Sequence, residues 1–238
     1  MITRILRKEE QWKSDLIQAV CFEFPFDPEK AKQQALETAE KEKESSDSDP
    51  AECWGCFADD GKDLLGSIIV NHFTVGFDGH DVRMGGIGGV STLPQWRRRG
   101  VIRRCFGAAL NDMYEKGFVL SALYPFSTKY YRKFGYENNA CVWEWTVPFD
   151  ALPSGSAEGS VEQLFPGDDL SPLLEIYREF YKDCNLAVRR SSYDPALEKE
   201  NLLEQKRYIY LWRNGNHAPR GFLIAGKTDG DVFDCTTT

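Results

Sequence analysis

Gly89-Val90-Ser91-Thr92-Leu93-Pro94-Gln95-Trp96-Arg97-Arg98-Arg99-Gly100-Val101-Ile102 holds three kinds of sequence in one short span. A strand ends, a basic loop follows, and a helix begins at Val101. Residues 101–116 carry Val101, Ile102, Cys105, Phe106, Ala109, Leu110 and Met113 at helical spacing, which makes one apolar face. Lys116 in the last turn and Gly117 just beyond it give a conventional stop. The first N–H groups of a helix lack intrahelical partners and sit at the positive end of its dipole. A pyrophosphate fits there. Gly100 admits close backbone approach, and the arginines add charge-assisted contacts to phosphate oxygens.

Upstream, residues 52–58, 64–77 and 82–92 read as three strands, rich in Ile and Val and punctuated by Asp59-Asp60-Gly61-Lys62 and Asp78-Gly79. They predict an antiparallel meander. Before them, residues 13–20 predict a helix with Leu16, Ile17 and Val20 on its apolar face, and residues 29–44 a second, highly charged and solvated one. Residues 45–50 read as a loop. Downstream, residues 118–124 suit a short buried strand ended by Pro125, and Ser127 or Thr128 can cap a brief helix through Tyr131. A last strand is expected over 140–147. Residues 148–160 shift to Pro, Gly, Ser and Ala and read as a linker. Beyond it come a helix over 169–182, with Leu170, Leu173, Leu174, Ile176, Tyr177 and Phe180 buried, and a strand pair over 208–212 and 221–225. The division is thus a first domain over 1–150 and a thin second unit over 160–238.

Charge narrows the function classes. Thirty-seven acidic against 29 basic residues give a net charge of −8, which argues against nucleic acid as the partner of the whole molecule. Cationic substrates suit that balance, as does plain solubility. No run of 18 apolar residues is present, and the charged N-terminus lacks the apolar core of a signal peptide, so neither a membrane span nor export is expected. Seven scattered cysteines, an odd number, read as reduced thiols in a cytoplasmic protein.

The arginine stretch resembles the Arg/Gln-x-x-Gly-x-Gly/Ala loop of GNAT acetyltransferases, with Arg97, Gly100 and Ile102 at the three positions; Ile102 departs from the usual small residue. Together with Tyr130-Tyr131-Arg132-Lys133-Phe134-Gly135-Tyr136, it looks more narrowly like the Eis (enhanced intracellular survival) family of bacterial N-acetyltransferases. The resemblance implies an α/β acyl-CoA N-acyltransferase fold: a mixed, mostly antiparallel sheet flanked by helices, followed by part of a second GNAT-like domain. It implies acetyl-CoA as co-substrate, no metal, and a primary amine of a small cationic molecule or a lysine side chain as acceptor. It implies a homo-oligomer as well. The coenzyme contacts it carries over are Val90 and Thr92 through their backbone, and Arg97, Arg98, Arg99, Gly100 and Val101 around the pyrophosphate. Tyr131 becomes the general acid that protonates the departing sulfur, with Val90 N–H holding the thioester carbonyl.

The base is open. Residues 82–90, where many relatives place a glutamate, contain no acid. Eis-like enzymes use the terminal carboxylate of a longer chain, beyond a sterol-carrier-like domain that this length cannot hold. The chain is therefore expected to be a fragment or to draw its base from elsewhere. A non-catalytic acyl-CoA-binding module is the alternative.

Other motifs carry less. Cys53-Trp54-Gly55-Cys56 has no second ligand pair and falls within a predicted strand, so its cysteines read as structural. His72, His80 and His217 lack metal-ligand spacing, and Gly85-Gly86-Ile87-Gly88-Gly89 lacks the lysine of a nucleotide loop. Phe22, Phe24 and Phe26 could equally wall an acceptor pocket or anchor the core.

Overall fold

Alternating β-branched and small residues in the first half pair into a five-stranded sheet in the computed structural model, which describes residues 1–41, 51–140, 143, 145–152, 158–191, 206–227 and 233–236. Its strands are β1 (Ile2–Ile5), β2 (Ala51–Phe57), β3 (Leu64–Phe77), β4 (His80–Thr92) and β5 (Leu120–Leu123), in the spatial order β1-β2-β3-β4-β5. β1 and β2 are antiparallel, as are β2 and β3; β5 runs parallel to β4. The parallel register matches Met84 to Leu120 and closes at Ile87 with Leu123. Residues 88–92 of β4 run on past that last pair.

Helix α3 (Val101–Glu115) buries Val101, Ile102, Cys105, Phe106, Ala109 and Met113, the face its periodicity predicts. They share a core with Cys56, Leu65, Ile68, Val70 and Tyr131. Helix α1 (Gln11–Phe22) packs through Ile17 into a second cluster with Leu6, Cys53, Phe57 and Leu64. The expected α1 face was partly wrong: Val20 is 48% exposed, and the buried positions are Ser14, Ile17 and Ala19. A buried Ser14 hydroxyl is tolerated because it pairs with Ser67 Oγ at 2.8 Å. Ahead of α1, Arg4 holds the Glu10 carboxylate through two hydrogen bonds of 2.7 and 2.8 Å, and Arg7 adds more. These bonds hold the Glu10 carboxyl far below the ordinary carboxylate range.

Helix α2 (Pro28–Lys41) is solvated as expected apart from Ala35. The expected loop at 45–50 and the end of the second helix lie outside the described residues. The strand expected over 118–124 is shorter, and half-buried rather than buried, with Tyr124 87% exposed. No strand runs through the described part of 140–147, where Trp143 and Trp145 are exposed. The helix expected near Ser127 is α4 (Thr128–Tyr131), and Ser127 is its cap, accepting from Tyr130 N.

Two compact units emerge: Met1–Val75 with Asp81–Cys141, and Gly76–His80 with Val142–Thr238. In the second, β6 (Gly159–Leu164), β7 (Arg207–Asn214), β8 (Pro219–Lys227) and β9 (Phe233–Thr236) form a four-stranded antiparallel sheet in chain order. Helix α5 (Ser171–Tyr181) joins its core through Leu173 and Tyr177, with Ile209, Leu211 and Ile224. Phe180, expected inside, is 68% exposed. Among the described residues, no helix is long and apolar enough to cross a membrane.

Candidate functional site

Where β5 stops pairing, the backbone of β4 departs from extended geometry. Gly89 adopts φ +56, a left-handed conformation that a side chain resists. Residues 88–92 continue as strand with their β5-facing edge unclaimed by any described strand. Val90 and Thr92 are half-buried along this edge, and Ser91 between them is buried, its hydroxyl without a hydrogen-bond partner among the described residues. On β3, Gly66 lets this strand end and the helix start converge: a Cβ there would come within 2.7 Å of Ser91 O and 2.8 Å of Val101 Cγ1.

A short 3-10 turn at Pro94–Trp96 leads into the arginines. All three are exposed, and none has a carboxylate partner among the described residues. Arg99 lies over the Trp96 ring at 5.0 Å, and Arg97 Nη2 reaches Cys21 Sγ at 3.9 Å. Arg98 is held at φ +62, an unfavourable conformation for a residue with a Cβ, which turns the loop sharply into the helix. Gly100 follows at φ +80 as the N-cap of α3 and supplies no side-chain cap. The first intrahelical bond is Arg104 N to Gly100 O, so the N–H groups of Val101, Ile102 and Arg103 find no capping side chain. Exposed guanidiniums and open N–H groups thus lie together, as an anion site requires.

Tyr131 packs against Phe106 of α3, ring centroids 6.1 Å apart, in a cage with Phe126, Tyr130 and Tyr136. It is 4% exposed. Burial, with small contributions from Tyr130 and Tyr136, pushes its phenol up to about 12, so it keeps its proton at neutral pH. Its hydroxyl makes no hydrogen bond among the described residues, whereas Tyr136 Oη is engaged by Ser121 Oγ at 2.6 Å. Of the crowded tyrosines, Tyr131 is thus freer than Tyr136 to meet a ligand.

Phe24 and Phe26 line an open hollow of about 690 Å³, together with Asp15, Gln18, Asp27 and Lys30. Phe22, 55% exposed, lies outside it. Cys53 and Cys56 lie on β2 as buried free thiols, and burial raises Cys53 to about 11, which leaves it protonated and unreactive. Sequence reasoning missed Gly66, Ser91, Cys21 and Gln18. Nothing in their local sequence marks them, because their roles depend on neighbours far along the chain, up to 76 positions away for Cys21 and Arg97.

Residues 4–138 match the family model described as an acetyltransferase (GNAT) domain. Three crystal structures share the fold over nearly the whole chain. One is an Enterococcus faecalis protein described as a probable N-acyltransferase, 20% identical with TM-score 0.78, covering 98% of this chain and 56% of that one. Another is a GCN5-related N-acetyltransferase from Anabaena variabilis, 22% identical with TM-score 0.71, covering 98% and 57%. The third, a GCN5-related N-acetyltransferase from Kribbella flavida, is 17% identical with TM-score 0.60, covering 99% and 58%. The chain spans a little over half the length of these structures. No curated protein matches it in sequence.

Proposed function

Because the chain belongs to the GNAT acetyltransferase family through residues 4–138, whose domains use acetyl-CoA as co-substrate, we propose that it transfers an acetyl group from acetyl-CoA to a primary amine of a small cationic molecule or a lysine side chain. The observation that carries this reading is the junction of β4 and α3, where a strand edge unclaimed by any described strand, open helix N–H groups and three exposed guanidiniums without carboxylate partners among the described residues meet. Arg97, Arg98, Arg99, Gly100 and Val101 hold the pyrophosphate. Val90 and Thr92 hold the rest of the coenzyme through their backbone, and Val90 N–H polarises the thioester carbonyl.

The neutral amine attacks the carbonyl carbon, a C–N bond forms, and the C–S bond breaks. Tyr131 gives its phenolic proton to the departing sulfur and recovers one from the acetylated nitrogen. No covalent enzyme intermediate is involved. The unit over 1–150 performs the reaction, and 160–238 is part of a second GNAT-like domain, as in Eis-like proteins. A homo-oligomeric, cytoplasmic protein fits that kinship.

Isothermal titration with acetyl-CoA tests the site; no binding overturns the reading. A thiol-release assay over a polyamine, aminoglycoside and lysine-peptide panel then separates an enzyme from an acyl-CoA-binding module. Tyr131→Phe should lower turnover on the order of a hundredfold or more while leaving acetyl-CoA affinity within about twofold. Equal losses in both would point to damage of the aromatic cage instead.

A further inference from the structure

The hollow beside α1 contains a carboxylate that the rest of the fold does not use. Asp15 makes no hydrogen bond or ion pair among the described residues, and it faces the space walled by Phe24 and Phe26. Asp27, on the same hollow, is engaged instead: its Oδ1 accepts from Glu29 N and Lys30 N, both at 3.1 Å, and so caps α2. Asp15 is exposed to solvent, and the protein packed on one side of it raises its carboxyl above the ordinary aspartate value by partial desolvation.

Gln18 links this hollow to the candidate site. Residues 15 and 18 are one turn apart on α1, with Cβ atoms about 5–6 Å from each other. Gln18 Nε2 donates to Ser14 Oγ at 3.1 Å, and that hydroxyl is fixed by Ser67. The opposite end of the amide then faces β4: a Cβ at Gly89 would lie 2.9 Å from Gln18 Oε1. Gly89 directly precedes Val90. The hollow therefore opens beside the very strand segment on which the thioester is expected.

Resting on the acetyltransferase reading above, we infer that this hollow is the acceptor site for a small amine carrying an ammonium on an apolar body, and that Asp15 takes the ammonium's proton. Asp15 supplies the counter-charge, and the Phe24 and Phe26 rings cover the apolar body. Gln18 Oε1 receives an amine N–H and turns the nitrogen towards Val90. The ammonium transfers one proton to the Asp15 carboxylate; the neutral amine attacks as above; the Asp15 proton leaves to solvent. The balance is an ammonium and a thioester converted to an amide, a thiol and one released proton. Residues 82–90, beside the expected thioester, hold no acid, and Asp15 supplies one from α1. The charged and titratable groups facing Asp15 are Asp27 and Lys30 at the start of α2 and the Cys53 thiol on β2, which feels its charge.

Phenethylamine and spermidine are the probes, used with the 238-residue chain. Asp15→Asn should lower kcat/KM for thiol release about a hundredfold at pH 7. The deficit should shrink to under about tenfold above pH 10, where an alkyl amine of pKa about 10.4 sheds its own proton. Acetyl-CoA affinity should stay within about twofold, and Asp15→Glu should restore much of the rate. Saturation-transfer NMR with phenethylamine alone should show binding that Asp15→Asn and Phe24→Ala each abolish. Transfer that continues unchanged in Asp15→Asn overturns the inference and leaves the acetyltransferase reading standing. Asp15-dependent amine binding without thiol release supports the hollow and overturns that reading. Binding that ignores both substitutions overturns the hollow.

Discussion

At its C-terminal end, helix α3 closes with its backbone groups satisfied inside the protein. Gly117 turns at φ +76, its N–H bonding Tyr114 O, and Phe118 N–H reaches Met113 O at 2.9 Å, the paired bonds of a Schellman motif. Phe118 and Met113 pack in the same core, and Lys116 Nζ bridges Glu52 at 2.6 Å and Asp112 at 2.7 Å. The N-terminal end of the same helix has none of this. Its cap is a glycine without a side chain, its first N–H groups are open, and its three arginines lack carboxylates among the described residues. One helix thus carries a finished end and an open one. The difference is physical: one terminus is closed by a full motif, and the other leaves N–H groups without a capping side chain beside exposed cations, which is why the proposed coenzyme site is put there.

Substitutions at the two ends should therefore separate binding from stability. The largest effect is expected from Arg97→Ala combined with Arg98→Ala. Losing two charged hydrogen bonds, at about 1.5 kcal/mol each, should raise the acetyl-CoA Kd on the order of a hundredfold by titration calorimetry. The melting temperature of the free protein should hold. A matching loss of stability would erase the contrast between the ends. Next, Gly117→Ala places a Cβ on a left-handed residue and should cost about 1–2 kcal/mol in denaturant unfolding, with acetyl-CoA affinity unchanged. The smallest change belongs to Lys116→Met, under about 1 kcal/mol, because the amine is partly exposed and its pairs are screened. Burial pulls the Lys116 pKa down, but hydrogen bonds to Asp112 and Glu52 outweigh it and the net shift is upward. Its contribution is therefore fully present below the unfolded lysine value near about 10.4 and fades as pH rises through the higher folded value. Wild type and variant should converge in alkaline unfolding experiments; a difference that grows with pH would contradict the assignment.

The open end was the more legible of the two from sequence. Its signal is local: a strand end, three arginines, a glycine and a 3.6-residue apolar repeat all lie within one contiguous stretch. The meander from β2 to β4 was legible for the same reason, as Asp78-Gly79 and runs of Ile and Val write a hairpin directly. β1 was missed because Ile2-Thr3-Arg4-Ile5 is short and charged, and becomes a strand only by pairing with β2. β6 was missed because its first two residues fall in the stretch read as a linker and the remaining four, Val161-Glu162-Gln163-Leu164, are too few to mark a strand; its partner, β7, lies some fifty residues on. Val20 and Phe180 were assigned inside on apolar character alone, and exposed apolar residues are common enough that the error is an ordinary one. At the site, Tyr131 could be named from sequence only through family resemblance. The separation of its free hydroxyl from the bonded Tyr136 needs coordinates.

The left-handed backbone at Gly89 has a consequence for solubility. An unpaired strand edge is a template on which another chain can add, the first step towards aggregation. Past the last β5 pair this edge runs over residues 88–92, half-buried or buried, and the left-handed backbone at Gly89 interrupts its extended conformation. A foreign strand cannot continue its ladder through that break without losing register. The backbone that leaves this edge free for the proposed coenzyme also denies it to a second polypeptide.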